Sequence, residues 1–405
     1  MGAYIRRTME AVLTRAAGEF PVVVLTGPRQ SGKTTLLKHV FGNTHRYVSL
    51  EPPDVRAAAA ADPRGFLALY PPPVIYDEVQ YAPDLLPYVK EQVDAQRDRP
   101  GQFLLTGSQN LLLLERVTES AAGRAAVLRL LPLSQFEATG RPDSPLPWEG
   151  GGAAEATLSP REEFWRPLTR GWYPELVARP RDDVTLWHAS FVQTYLERDV
   201  RSLRQVGDLT QFQSFLRALA MRTGQLLRLT DVARDLAISV NTVKAWLSVL
   251  EATFQVVIVR PYFGSLGKRL VKTPKVYFTD VGTVCYLAGI REAEQARSGP
   301  ISGALFETAV FSEILKVVTH RGEEPRIYFW RTAAGAEVDL VLETAGRLLP
   351  IEAKLSATPR PSDASGIRRF RRDFGEAVGT GYVVHAGDVR LPLSPGVRAI
   401  PFADI

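Results

Sequence analysis

The fold of this chain is decided by the stretch Gly27-Pro28-Arg29-Gln30-Ser31-Gly32-Lys33-Thr34. A β-branched run precedes this stretch and a helical pattern follows it. A nucleoside triphosphate needs backbone N–H groups around its phosphates, a cation near the β and γ oxygens, and a hydroxyl group for the magnesium ion. The two glycines allow a tight loop, Lys33 supplies the cation and Thr34 supplies the hydroxyl. We therefore expect the nucleotide to bind at Gly27, Pro28, Arg29, Gln30, Ser31, Gly32, Lys33, Thr34 and Thr35.

Two acidic residues follow the apolar run Val74-Ile75-Tyr76 and are expected at the same sheet edge as this loop. Asp77 is expected to hold Mg²⁺ together with Thr34, and Glu78 is expected to polarise the attacking water. This acidic pair favours hydrolysis over phosphotransfer to another acceptor. The sequence contains no Asn-Lys-x-Asp guanine reader, which favours ATP over GTP. The alternative for Glu78 is a solvated strand end without a catalytic role.

A third polar segment, Thr106-Gly107-Ser108-Gln109, ends the apolar run that begins at Gln102. Parallel strands present their carboxyl ends at one edge of the sheet, so its hydroxyl and amide groups are expected near the γ-phosphate. We expect Ser108 to orient the attacking water, with Thr106 as the next choice.

Short β-branched runs alternate with helical patterns in the first third of the chain, which predicts an α/β fold with a parallel sheet flanked by helices. A Pro- and Gly-rich stretch then interrupts all periodicity. Further on, Ser239 can cap a second helix after a short turn, and two strands follow, which predicts a winged helix. The expected divisions are an ATPase core at 1–139, a linker or insertion at 140–160, a helical lid at 161–203, a winged helix at 204–290 and a C-terminal α/β domain at 291–405.

Five motifs together make the chain resemble a known family. They are Val24 to Gln30, Tyr76 to Gln80, Leu105 to Ser108, Glu119 to Arg124 and Tyr195 to Val200. The sequence resembles a prokaryotic family of AAA+ (P-loop) ATPases whose members carry a C-terminal domain of unknown function with a restriction-endonuclease-like core. The resemblance extends over nearly the whole chain, except for residues 140–160. The role of Glu197-Arg198-Asp199 in this pattern does not follow from the sequence.

The resemblance also gives Arg124 a possible role. In AAA+ proteins, an arginine at the end of the helix before the fifth strand stabilises charge on the phosphate of a neighbouring subunit. Arg124 stands at that place, so it is a candidate finger acting between subunits of a homo-oligomer. A surface or intrasubunit salt-bridge arginine is an equal alternative.

Two expected strands of the C-terminal domain carry acidic residues. In Val338-Asp339-Leu340 the acid faces away from its apolar neighbours, and Glu352 shares one strand face with Lys354. Antiparallel pairing would bring Asp339 and Glu352 together, as a Mg²⁺ site requires, and Lys354 could stabilise charge on a phosphate or activate water. This pattern is similar to the PD-(D/E)XK nuclease signature, in which Glu307 matches the helical acid and a metal ligand. The same fold is also reused for binding, and a degenerate core with surface carboxylates is a further alternative.

DNA is the expected partner, because the winged-helix segment offers polar and basic side chains. Asn241, Thr242, Lys244 and Ser248 fall on its second helix, and Lys268, Arg269, Lys272 and Lys275 lie in or near the following loop. A basic wing loop could contact phosphates without reading sequence. Packing and subunit contact are an equal alternative for this module.

The composition sets broad limits. Of the 405 residues, 45% are hydrophobic and 23% are charged, as in soluble globular proteins, and a net charge of +5 permits contact with DNA. The apolar runs are too short to cross a bilayer and the N-terminus lacks a secretory pattern, so we expect a cytoplasmic protein without membrane contact. The single cysteine, Cys285, has apolar neighbours and is expected to be a buried structural thiol.

Two functions fit these observations. The first is an enzyme that couples ATP hydrolysis to action on DNA, with a possible metal-dependent nuclease domain. The second is an ATP-switched regulator or scaffold whose C-terminal domain only binds DNA or a protein partner. They differ in whether Asp339, Glu352 and Lys354 bind metal and cut.

Overall fold

A computed structural model describes residues 4–107, 123–150, 164–179, 183–195, 208–263 and 271–405. Several predicted features lie outside these ranges, namely Ser108, Gln109, the segment Glu197-Arg198-Asp199, and Lys268 and Arg269. Within the described part of the chain, three sheets of five, three and six strands organise the fold. No helix there is long and apolar enough to cross a bilayer.

The first sheet is fully parallel, as the sequence predicts. Its strands are β1 Val22–Thr26, β2 Arg46–Ser49, β3 Val74–Asp77, β4 Phe103–Gly107 and β5 Ala125–Arg129, in the order β2-β3-β4-β1-β5. Thr26 is level with Gly107 and Ser49 is level with Asp77. The carboxyl ends of these strands therefore meet at one edge of the sheet, where ligands of open α/β sheets bind.

Helices cover both faces of this sheet. They are α1 Met9–Glu19, α2 Lys33–Phe41, α3 Pro53–Ala61, α4 Pro63–Leu69 and α5 Leu86–Ala95. Alternate residues of β1 point to opposite faces, so Val22 and Val24 pack with α3, α4 and α5, whereas Val23 and Leu25 pack with α1 and α2. This two-sided burial explains why β1 is an uninterrupted apolar run.

A group of short helices connects this core to the rest of the chain. They are α6 Gln135–Ala138, α7 Trp165–Arg170, α8 Pro174–Ala178 and α9 Thr185–Tyr195. Helices thus occur within the predicted lid at 161–203. The described part of the predicted linker, residues 140–150, packs closely, because Leu146 is buried and Glu149 forms an ion pair with Arg321.

The middle of the chain contains the elements expected of a winged helix in the expected order, although that assignment stays a prediction. Ser239 Oγ accepts a hydrogen bond of 3.0 Å from the N–H of Thr242, which confirms the predicted helix cap. The antiparallel three-stranded sheet has the order β6-β8-β7. The elements are α10 Leu209–Ala220, β6 Gln225–Leu226, α11 Leu229–Asp235, α12 Val240–Ala252, β7 Val256–Val259 and β8 Lys275–Phe278.

A mixed six-stranded sheet forms the C-terminal domain, in the order β13-β14-β12-β11-β10-β9. Its strands are β9 Ile327–Arg331, β10 Glu337–Thr344, β11 Arg347–Lys354, β12 Gly381–His385, β13 Leu391–Ser394 and β14 Val397–Pro401. Helices α13 Val281–Leu287 and α14 Ala293–Ser298 pack on α7, whereas α15 Ser302–His320 and α16 Ser365–Phe374 pack on this sheet. Helix α15 is buried along most of its length and packs between β8 and β11, which joins the middle part of the chain to the C-terminal sheet.

Candidate functional site

The predicted phosphate-binding loop connects β1 to α2. Gly27 has a φ of 144° and Gly32 a φ of 93°, both in the region that favours glycine. A Cβ atom on Gly27 would lie 2.1 Å from the carbonyl oxygen of Leu130, so the close approach also requires glycine. Lys33 Nζ donates hydrogen bonds of 3.0 and 2.9 Å to the carbonyl oxygens of Gly27 and Pro28. The lysine therefore folds over the loop, as a phosphate-binding residue should.

Asp77 is the centre of a hydrogen-bond cluster at the carboxyl edge of the sheet. Thr34 Oγ1 lies 3.0 Å from both of its carboxylate oxygens, which brings together the hydroxyl and the carboxylate predicted to hold Mg²⁺. Thr106 Oγ1 donates to Asp77 Oδ1, and the Tyr47 hydroxyl donates to Oδ2 over 2.7 Å. Asp77 is buried, so these donors also replace water around its charge.

Glu78, the predicted water-polarising residue, has a left-handed backbone with φ 58° and ψ 47°. Such a conformation is strained for a residue other than glycine and is found preferentially at functional sites. Its N–H donates a hydrogen bond of 3.2 Å to Thr106 Oγ1, and its carboxylate accepts one from Gln80 Nε2. Thr106 thus orients both acidic residues. Ser108, the first choice for orienting water, lies outside the described residues.

A cavity of about 830 Å³ opens in front of this loop. Its volume falls in the range of ligand sites for molecules of nucleotide size. Predicted residues on its wall are Arg29, Gln30, Gly32, Lys33, Thr34, Thr35 and Glu78. Sequence reasoning missed the other wall, which comes from the N-terminal segment and from helices α8 and α9. It includes Tyr4, Ile5, Arg7, Leu133, Pro174, Glu175, Ala178, Arg179, Phe191 and Thr194.

The residues that close this cavity give no local motif that could have revealed them. Tyr4 stacks on His39 of α2, with ring centroids 3.7 Å apart, and thereby forms a flat aromatic surface beside the loop. Glu175 accepts a hydrogen bond of 3.2 Å from Trp187 Nε1, which ties α8 to α9. Arg179 is exposed at the end of α8 and supplies positive charge on the wall opposite Lys33.

Arg124, the candidate finger, lies just before β5 and therefore at the amino edge of the sheet, away from the loop of its own chain. Its Nε atom is 2.5 Å from Asp94 Oδ1 of α5. The intrasubunit ion pair named as the alternative is therefore present. Whether Arg124 also acts on a neighbouring subunit stays a prediction.

A second cluster of charged side chains lies in the C-terminal domain. Strands β10 and β11 pair in antiparallel fashion with Leu340 opposite Ile351, so the predicted meeting of Asp339 and Glu352 is confirmed. Lys354 Nζ lies 2.7 Å from Glu352 Oε2 and 3.7 Å from Asp339 Oδ2. Burial, with the nearby Asp339 charge, raises the pKa of Glu352 well above its usual value, although Lys354 opposes this shift.

Glu307, on α15, belongs to the same cluster. The Tyr277 hydroxyl and Lys275 Nζ donate to its Oε1, the latter over 2.9 Å, and Lys275 Nζ is also 2.9 Å from Glu337 Oε1. Burial, followed by the charge of Asp339, raises the pKa of Glu307 to about 7. Within the described ranges, no group of three or more His, Cys, Asp or Glu side chains is arranged to hold a metal ion. Metal binding by Glu307, Asp339 and Glu352 therefore stays a prediction.

A cavity of about 650 Å³ separates this cluster from helix α11 and from the segment that follows α10. Glu307, Glu337 and Asp339 lie on one wall. Cationic side chains from both domains also line it, namely Arg222, Arg228, Arg234, Arg331 and Lys275. Asp231 and Asp235 also line the cavity, and Arg222, Arg234, Arg331 and Lys275 each form an ion pair with one of its carboxylates, so positive and negative side chains alternate there.

Part of the predicted nucleic-acid surface needs correction. Lys275 does not extend an exposed basic loop, because it is buried in ion pairs with Glu307 and Glu337. On α12, Asn241 and Lys244 are exposed, and Lys272 is exposed before β8. Thr242 and Ser248 are partly buried and form local hydrogen bonds with Ser239 Oγ and the carbonyl of Ala245.

The expectation for Cys285 is confirmed, because this thiol is buried and burial raises its pKa to about 12. Such a thiol is protonated at neutral pH and is a poor nucleophile.

A family model agrees with the first of these two sites. Residues 19–139 match a family model described as an AAA domain, whereas residues 161–294 and 302–405 match two domains of unknown function, DUF8612 and DUF4143. In solved structures, a Walker-type ATPase of Pyrococcus abyssi is 16% identical, covering 70% of this chain and 96% of its own, with a TM-score of 0.42. RuvB of Thermotoga maritima is 17% identical, covering 62% and 88%, with a TM-score of 0.26.

Two curated relatives extend over almost the whole chain. The uncharacterized proteins Rv2008c of Mycobacterium tuberculosis and Mb2031c of Mycobacterium bovis are each 32% identical over 399 residues. The match covers 98% of this chain and 83% of each relative. The chain therefore belongs to the same family as these mycobacterial proteins, and its AAA domain makes it an ATPase.

Proposed function

We propose that this ATPase couples ATP hydrolysis to an action on DNA by its C-terminal domain. One observation carries the proposal: Asp339 and Glu352 face each other across β10 and β11, with Lys354 beside both, next to an arginine-lined cavity. Carboxylates and a lysine in this arrangement suit hydrolysis of a phosphodiester, and arginines suit the binding of its phosphates. The similarity of this pattern to the PD-(D/E)XK signature supports the same reading.

The ATP half of the proposal follows from the geometry around Asp77. The Thr34 hydroxyl and the Asp77 carboxylate are oxygen ligands of the kind that Mg²⁺ prefers, and they lie within 3.0 Å of each other. Bound Mg²⁺ would neutralise charge on the phosphates. Lys33 would move from the loop carbonyls to the phosphate oxygens, and Glu78 would orient the attacking water. The protein residues thus supply positioning and charge, which is most of what phosphoryl transfer needs.

The carboxylates and the lysine of the C-terminal domain would also bind a cation and contact a phosphate. Asp339 and Glu352 are close enough to share one cation, and the ammonium group of Lys354 could approach a phosphate oxygen. Burial and then the neighbouring charge of Asp339 raise the pKa of Glu352, and a bound cation would favour the ionised form of this carboxylate. The cationic side chains of the cavity would hold the nucleic-acid backbone without reading its sequence.

One observation favours the second function, a regulator that binds without cutting. Lys275 Nζ pairs with Glu307 and Glu337 and fills the space beside Asp339 with a protein cation. A cluster that is already neutralised needs no metal ion. In that case ATP turnover would switch a binding surface, and the carboxylates would be structural.

The experiment that separates these functions measures ATP turnover and DNA cleavage in the same preparations. Plasmid, linear and branched DNA are each incubated with ATP and either Mg²⁺ or Mn²⁺, and oligomer size is recorded. The enzyme function predicts cleavage that Asp339→Ala abolishes while ATP turnover persists. The regulator function predicts intact DNA in every reaction. Cleavage retained by Asp339→Ala would remove this cluster as its source, and Lys33→Ala controls for dependence on ATP.

A further inference from the structure

Arg7 is outside every motif identified from sequence, yet it touches the phosphate-binding loop. Its Nη1 atom donates a hydrogen bond of 2.9 Å to the carbonyl oxygen of Ser31. Its Nη2 atom donates one of 2.8 Å to the carbonyl oxygen of Leu131, shortly after β5. Its Nε atom lies 3.1 Å from Glu137 Oε1. A guanidinium group with only 3% of its side chain exposed therefore joins three separate segments.

The bond to Ser31 selects the direction of one peptide in the loop. In a trans peptide the C=O and the following N–H point in opposite directions. Because the Ser31 carbonyl faces Arg7, the N–H of Gly32 points away from the Arg7 guanidinium. Gly32 has a φ of 93° and no side chain that would resist rotation of this peptide. The hydrogen bond from Arg7 therefore holds the direction of the Gly32 N–H.

The C-terminal domain reaches the same place through the last residue of α15. The N–H of Leu131 donates a hydrogen bond of 3.1 Å to His320 Nε2, so the ring proton of neutral His320 is on Nδ1. His320 Nδ1 lies 3.2 Å from Glu137 Oε2. Arg7, Leu131, His320 and Glu137 thus form a closed ring of contacts between the AAA domain and the C-terminal domain.

This ring is fully buried and electrostatically balanced. Glu137 has no exposed surface and accepts further hydrogen bonds of 2.9 Å from the N–H groups of Thr8 and Ser134. Burial by itself raises the pKa of Glu137, but Arg7 and His320 outweigh it and hold that pKa below its usual range. Burial lowers the pKa of His320. A buried polar group that loses its partner is left unsatisfied, so the four members favour one shared arrangement.

We propose that Arg7 is a positioning residue of the ATPase site, and that His320 makes its position depend on the docking of the C-terminal domain. When α15 is docked, His320 and Arg7 together hold Glu137 and Leu131, and Arg7 directs the Gly32 N–H toward the phosphates. When α15 moves away, Glu137 and Leu131 lose a partner and Arg7 loses its fixed geometry. The proposal rests on ATP hydrolysis alone, and it does not require that the C-terminal domain cut DNA.

The test uses the full chain and measures steady-state ATP hydrolysis and equilibrium binding of ATP. We expect Arg7→Ala to weaken ATP binding by about 5- to 150-fold, the usual range of coupling between sites, and to lower kcat/KM as well. His320→Leu should lower kcat/KM in the same direction. His320→Gln should retain most of the activity, because an amide can accept from Leu131 and donate to Glu137. The double variant Arg7→Ala/His320→Leu should be no worse than Arg7→Ala, because both changes act through one residue.

His385 provides the matched control. It is a second buried histidine of the C-terminal domain, held by the carbonyl of Val389 and the N–H of Gly387, and it takes no part in the ring. His385→Leu should leave kcat/KM within about twofold of wild type, as expected for distant, independent sites. Equal losses in His320→Leu and His385→Leu would overturn the proposal, as would additive losses in the double variant. If His320→Leu does not fold, His320→Asn replaces it, because its side chain is too short to span both partners.

Discussion

The Tyr47 hydroxyl donates a hydrogen bond of 2.7 Å to Asp77 Oδ2. Tyr47 is on β2 and Asp77 ends the neighbouring strand β3, so the two residues are held at a fixed separation by the sheet. Burial and then this hydrogen bond raise the pKa of Tyr47, which keeps the phenol protonated and donating. The aromatic residue therefore orients the carboxylate that the sequence assigns to the metal ion.

Tyr47→Phe should raise the Mg²⁺ concentration needed for half-maximal ATP hydrolysis by about tenfold, because residues that orient metal ligands have effects of this size. Turnover at saturating Mg²⁺ should change much less. The measurement is ATPase rate against free Mg²⁺ at saturating ATP. Tyr88→Phe is the control, because Tyr88 is on α5 beside Arg64 and away from Asp77. An unchanged Mg²⁺ requirement in Tyr47→Phe would show that this hydrogen bond does not orient a metal ligand.

Glu78→Gln should bind ATP but hydrolyse it about 100-fold more slowly or worse, because the amide cannot polarise water. Lys33→Ala should fail at binding itself, since it removes the cation of the loop. Separate measurements of ATP affinity and single-turnover hydrolysis distinguish the two defects. Normal single-turnover hydrolysis by a pure Glu78→Gln preparation would reject the role of Glu78.

Arg124 can be tested by mixing two inactive variants. If it acts on a neighbouring subunit, a mixture of Arg124→Ala and Lys33→Ala should regain part of the ATPase activity, because some sites then combine an intact loop with an intact Arg124. Asp94→Ala is the control, since it breaks the ion pair and leaves the arginine in place. A mixture as inactive as its components would count against action between subunits.

Lys275→Met should destabilise the protein by about 3–5 kcal/mol, because Glu307 and Glu337 lose their shared buried partner. If the cluster binds a metal ion, Mn²⁺ should reverse part of the decrease in melting temperature that Lys275→Met causes. Lys244→Met, an exposed lysine on α12, should melt like wild type with or without Mn²⁺. A melting temperature of Lys275→Met that is the same with and without Mn²⁺ would favour the regulator function.

Glu137 should make the protein sensitive to acid. Its pKa is lower in the folded state, so the stability it contributes is complete above its ordinary value of about 4.5 and is lost as the pH falls below that value. Glu137→Gln should be less stable than wild type at pH 7, and the gap should narrow below pH of about 4.5. Urea unfolding at several pH values measures this. Glu91→Gln, which breaks an exposed pair with Arg64, should show no such trend.

The parts of the ATP site that could be predicted from sequence are those that depend only on residues close together in the chain. The loop at 27–34 and the strand that ends at Asp77 follow from local spacing, because β1 and β3 are buried on both faces and read as apolar runs. The pairing of Asp339 with Glu352 follows from the two-residue period of strands.

The rest of the site depends on contacts between distant segments. Tyr4, Arg7 and Arg179 carry no motif, and they reach the cavity only because α1 and α8 pack near the loop. From the sequence, Lys275 is predicted to belong to a basic loop. It is buried instead, because β8 lies beside α15, where Glu307 pairs with it. Local sequence patterns do not show which acidic residue forms an ion pair with a lysine that is distant from it in the chain.

Helix α15 carries Glu307 near its beginning and His320 at its end. Thirteen residues of α-helix extend about 20 Å, and a helix packed on nearly all sides behaves as a stiff rod rather than as a hinge. The carboxylate cluster and the ring around Arg7 therefore lie at opposite ends of one rigid helix. Because no loop separates the two residues, any movement of His320 along the helix axis would also move Glu307.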